Sequence, residues 1–65
     1  MVKETGRNRV REFREAKPWS IAELARAAGV AYQTISKMEN GLSTRRHTQL
    51  KVAKALGKNH EEVFP

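Results

Sequence analysis

The sequence has no cysteine and no aspartate. Without cysteine there is no disulfide to staple a small fold and no thiolate to hold a metal, a composition that suits a reducing compartment. Without aspartate, acid–base and metal-ligating work would fall on seven Glu and two His among 65 residues. His47 and His60 are too few and too far apart to make a metal site, so no metal and no cofactor is expected. No nucleophile–base set or phosphate-cradling glycine loop is present, and the expectation is a protein that is not an enzyme. Long apolar runs are also missing, so nothing spans a membrane. The first seventeen residues, MVKETGRNRVREFREAK, lack the apolar segment of a secretory signal, and a cytoplasmic protein is expected. One small domain is the limit at this length, because such a chain buries only ~60% of its unfolded surface.

What is present in excess is positive charge. The net charge is +6. Residues 1–17 carry six Lys/Arg against three Glu, and residues 18–41 balance. Residues 42–58 carry Arg45, Arg46, Lys51, Lys54 and Lys58 with no acid. The last seven residues carry Glu61 and Glu62 alone. A basic balance of this kind in a small domain favours a polyanionic partner, nucleic acid first.

Punctuation divides the chain into five short helical pieces. Pro18 ends the first, because the residue before a proline is driven out of the helical region. Gly29, Gly41 and Gly57 each follow an apolar-periodic run, where a helix end commonly takes a left-handed residue. The first helix runs from about Asn8 to Lys17, with Val10 and Phe13 on its buried stripe. The second starts at Ser20, which forms a capping box with Glu23. Its stripe is Ile21, Leu24, Ala25 and Ala28, and Trp19 is placed to fold back on Leu24. The third lies within GVAYQTISKMENG, from about Tyr32 to Asn40. The fourth begins near Thr48, with Leu50, Ala53 and Leu56 at a spacing of three and Val52 beside them. The fifth is a turn or two after Asn59, which repeats the capping-box spacing with Glu62. No strand pattern appears, so the fold class is all-α: a flexible basic tail over residues 1–7, then one five-helix domain over residues 8–65.

Two charges sit on apolar stripes. At about 100° per residue, Glu39 falls with Ala31, Ile35 and Met38, and Arg14 falls with Val10 and Phe13. A lone buried charge is costly and a paired one tolerable. Either Arg14 and Glu39 meet, or each reaches the surface from the edge of its stripe. Opposite them on the third helix lie Gln33, Ser36, Lys37 and Asn40, polar and without acid, with Tyr32 at the border.

The segment SIAELARAAGVAYQTISKMENG, residues 20–41, resembles the helix-turn-helix of the phage repressor/Cro (Xre-like) family of DNA-binding proteins. The features that carry the resemblance are ELA in the second helix, Gly29 in the turn, the Gly-Val pair, and TISKMENG at the end of the third helix. LKVAKALG and NHEEVF look like that family's fourth and fifth helices. The resemblance covers Asn8 to Phe64 and implies a compact five-helix domain. It also implies that Arg14 and Glu39 form a structural ion pair between the first and third helices.

In this docking mode the second helix of the motif enters the major groove with its N-terminal residues at the base edges. The resemblance then assigns base reading to Tyr32, Gln33 and Lys37, with a core-edge aromatic as the other reading of Tyr32. Gln33 has the chemistry to pair with adenine N6 and N7, and Lys37 to donate to guanine O6 and N7. Backbone contacts are expected from Ser20 with the free amides of its helix, from Thr34 and Ser36, and from Asn40, Ser43, Thr44, Arg45 and Arg46. Three departures from the family pattern stand out. Ile21 replaces a phosphate-touching glutamine, Ala31 replaces a Ser or Thr cap, and the loop before the fourth helix has arginines in place of its usual proline.

The partner expected is double-stranded DNA, bound specifically by a repressor or similar regulator on a near-palindromic operator as a homodimer, formed in solution or only on DNA. The fifth helix, with Val63, Phe64 and Pro65, is the expected dimer contact. The rival is an antitoxin-like module that binds a protein and keeps the DNA face. An apolar patch left exposed outside the core would favour that rival.

Overall fold

The computed structural model describes residues 8–65; the tail expected over residues 1–7 lies outside them. The described residues form α1 (Val10–Ala16), α2 (Ile21–Ala28), α3 (Tyr32–Glu39), α4 (Arg46–Leu56) and α5 (His60–Val63), with no strand among them. The all-α, five-helix expectation is met.

Local chemistry explains most of the boundaries. Asn8 precedes α1 rather than joining it. Its side-chain oxygen accepts the Val10 amide at 3.1 Å, while its Nδ2 donates to the Met38 carbonyl at 2.7 Å. One side chain thus starts α1 and ties that start to the end of α3. At the other end of α1, the Arg14 carbonyl accepts from the amides of Lys17 and Trp19 before the chain turns at Pro18. The capping box of α2 forms as expected. Ser20 Oγ accepts the Glu23 amide at 3.1 Å, and the Ser20 amide donates to Glu23 Oε1 at 2.6 Å. Gly29 closes α2 at φ 71°, a left-handed value that a side chain resists. Three residues then separate α2 from α3. The Asn59 amide donates to Glu62 Oε1 at 2.8 Å at the start of α5.

Every helix contributes to one core. Val10 comes from α1, Leu24 and Ala25 from α2, Ile35 and Met38 from α3, Val52, Ala53 and Leu56 from α4, and Val63 from α5. Phe13, Trp19, Ile21 and Val30 pack against it from the edge. Each fully buried aliphatic side chain contributes about 1.5–3 kcal/mol. Ile35 and Met38 together therefore hold the inner side of α3 and leave its outer side free.

Three expectations about α4 and α5 are corrected. The fourth helix begins at Arg46, not Thr48, and Leu50 is 44% exposed, not core. A three-residue step falls about 60° short of a full turn, so the 50–53–56 series drifts around the helix. The buried stripe passes through Val52, Ala53 and Leu56, with half-buried Gln49 on its border. Val63 is fully buried within its own chain, so it has no surface to offer a second copy.

Candidate nucleic-acid interface

The orientation of α3 is fixed by the two charges that lay on apolar stripes. Arg14 Nε donates to Glu39 Oε2 at 2.6 Å and Nη2 to Glu39 Oε1 at 3.1 Å, a two-pronged contact between α1 and α3. The third nitrogen, Nη1, donates to the Trp19 carbonyl at 2.8 Å. The two side chains are 11% and 8% exposed. The hydrogen bond with Glu39 raises the Arg14 pKa above its ordinary value, against the opposing effect of burial. The guanidinium therefore stays charged, and its planar fork matches the carboxylate. The pair does two things. It locks the tilt of α3 against α1, and it withdraws Glu39 from the outer surface of α3.

That outer surface is consequently free of acid. Gln33 and Lys37 are exposed, and so is Tyr32, at 56%. Tyr32 is thus a surface residue and not a core-edge aromatic. Thr34 and Ser36 are half-buried between these positions, and Asn40 is exposed at the helix end. Gly41 follows at φ 81° and turns the chain into the loop. Ser43, Arg45 and Arg46 are exposed there, with Thr44 half-buried. Arg45 stands at the N-cap of α4 and makes no side-chain cap bond, so its side chain is not committed to the helix.

Ser20 stands at the start of α2 with its capping box formed. Its hydroxyl oxygen and its own amide are both engaged with Glu23, and the Glu23 carboxylate sits at the positive end of the α2 dipole. Only the first-turn amides of Ile21 and Ala22 are left for an anion, together with the hydroxyl proton of Ser20.

Two residues gain roles that the sequence did not suggest. Arg11 joins Ile21, Ser36 and Asn40, with the Arg14–Glu39 pair, around a cleft of about 220 Å³. Its position three before Arg14 on α1 was the available signal. Arg11 pairs with Glu15 at 3.2 Å, but both groups are exposed and such pairs are weak. Gln49 is the other. Its Nε2 lies 3.4 Å from the carbonyl and the hydroxyl of Thr44, and its Oε1 lies 2.9 Å from His60 Nε2. Gln49 thereby connects the loop after α3 to α5. His60 also stacks on Phe64 with 5.1 Å between ring centroids, which accounts for it structurally.

Charge is distributed unevenly. Among the described residues, the arginines of α1 and its start are matched within the chain, Arg9 to Glu12, Arg11 to Glu15 and Arg14 to Glu39. Arg9 holds the Glu12 carboxyl below its ordinary pKa through their hydrogen bond. Among the described residues, Lys37, Arg45 and Arg46 have no carboxylate partner.

A capped helix, a left-handed glycine turn and a braced second helix with an acid-free outer face define a helix-turn-helix domain. The family model for helix-turn-helix proteins matches residues 10–63, and the chain belongs to that family, in its Xre/Cro-like branch. The family is one of DNA-binding regulators. No curated protein and no solved structure matches the chain.

Proposed function

We propose that this chain binds double-stranded DNA sequence-specifically and acts as a transcriptional repressor. The observation that carries this reading is the outer face of α3, exposed, free of carboxylates and held at a fixed tilt by Arg14–Glu39. Gln33 and Lys37 read base edges, Gln33 through a paired contact to adenine and Lys37 through guanine O6 and N7. Tyr32, at the first position of the helix, packs on a thymine methyl or bonds a phosphate.

Backbone contacts set the register on both sides of that helix. On one side Ser20, the Ile21 and Ala22 amides, Ser36, Asn40 and Arg11 converge near the start of α2. Arg11 compensates there for the glutamine that Ile21 replaces. On the other side Ser43, Thr44, Arg45 and Arg46 follow the strand, with Thr34 close to the groove. Gln49 keeps that loop in place.

One such domain spans few base pairs, so two copies bind half-sites about one helical turn apart. Selection of preferred sites from random duplex DNA, followed by stoichiometry on the best site, tests this. The expected result is a near-palindromic sequence bound by two chains. Enrichment of no sequence at all refutes specific binding, and a single chain on an asymmetric site refutes the dimer.

A further inference from the structure

Leu50 was expected in the core and is instead 44% exposed. It sits in the middle of α4. Residues three and four apart are neighbours on a helix surface, so Leu50 is bordered by Arg46, His47 and Lys54, with Lys51 beside the last two. All five are exposed. No acid occurs anywhere in residues 42–58. Among the described residues, Arg46, Lys51 and Lys54 have no carboxylate partner. Leu42, in the loop just before α4, is a further exposed leucine. The reading of DNA through α3 uses neither leucine, nor Lys51 or Lys54.

We propose that the outer face of α4 is a docking surface for an acidic protein segment, with Leu50 as its apolar centre and Lys51 and Lys54 as its charged rim. An apolar centre with a polar rim is the anatomy of a protein–protein contact. A second copy of this chain is a poor occupant, because joining the same face twice brings unpaired cations together. A DNA backbone matches the charge but has no complement for an exposed leucine, since its contacts are made by phosphates. An acidic segment carrying an apolar side chain matches both features. This proposal is independent of which residues read DNA, and it gives the chain a second face through which a partner can act on a DNA-bound regulator.

The probe is a displayed library of random peptides selected against the immobilised chain, with each winner retested on variants. Leu50→Ala keeps α4 intact, because alanine is the better helix former at an exposed position. Enriched peptides are expected to be rich in Asp and Glu around apolar residues. They are expected to lose about tenfold in affinity on Leu50→Ala, and to lose binding on Lys51→Glu/Lys54→Glu. Peptides without acidic enrichment, or peptides that bind these variants as well as the native chain, overturn the proposal. A second measurement separates DNA as occupant. Lys51→Gln/Lys54→Gln is expected to leave the salt dependence of binding to random-sequence duplex unchanged. A fall of ~1 in the log–log slope for each lysine assigns the face to phosphates instead, and also overturns it.

Discussion

Replacing Arg14 with alanine is expected to cost far more than removing an ordinary surface arginine. Arg14→Ala leaves the Glu39 carboxylate 8% exposed with both guanidinium donors gone, and it strips the Trp19 carbonyl of its donor. Breaking a buried pair from one side costs about 3–5 kcal/mol, because the remaining charge stays desolvated. A domain of 65 residues has ~3–10 kcal/mol of stability to lose. The variant therefore stands near its unfolding threshold at room temperature. Urea unfolding followed by far-ultraviolet circular dichroism reads the effect directly. With a slope of ~1 kcal/mol per molar urea, the midpoint drops by about 3–5 M or the protein is unfolded at the outset. Arg26→Ala, exposed on α2, is the reference and is expected within about 0.5 kcal/mol of the native chain. The double change Arg14→Met/Glu39→Leu removes both charges and is expected to recover most of the loss. An Arg14→Ala loss no larger than that of Arg26→Ala refutes the claim that this pair braces α3.

Two further predictions use other parts of the molecule. Ala31 caps α3 with extended backbone and no side-chain bond, so Ala31→Ser is expected to raise stability by about 1 kcal/mol in the same urea assay; no gain would mean that the first turn of α3 is already satisfied. Arg45→Ala is expected to weaken specific and random-sequence DNA binding alike and to lower the salt slope by ~1. Fluorescence anisotropy across a salt series measures it, and an unchanged slope removes Arg45 from the backbone contacts.

Much of the fold was legible because its signals are local. Ser20 with Glu23 marked the start of α2 and Gly29 marked the turn; the misplaced charges at Arg14 and Glu39 left pairing and surface exposure both open, and the family resemblance implied the contact, 25 residues apart in the chain, that forms. The errors came where local signals are silent or mislead. Helix α4 starts without a side-chain cap, so nothing in the sequence fixed Arg46 as its first residue. Leu50 fell on a three-residue series, and only the packed position of Val52 and Leu56 shows which way that series turns. The outer residues of α3 were legible as a face, since Gln33 and Lys37 lie opposite Ile35 and Met38. Gln49 was not, because its role depends on Thr44 and His60 meeting it in space.

The most direct test of the account is selection of preferred duplexes by the native chain and by Gln33→Ala in parallel. We expect the variant to lose ~1–3 kcal/mol of specific affinity and to relax its preference at one base pair in each half-site, with random-sequence binding nearly intact. The same preferred sequence bound with the same affinity would contradict the assignment of α3 as the reading helix.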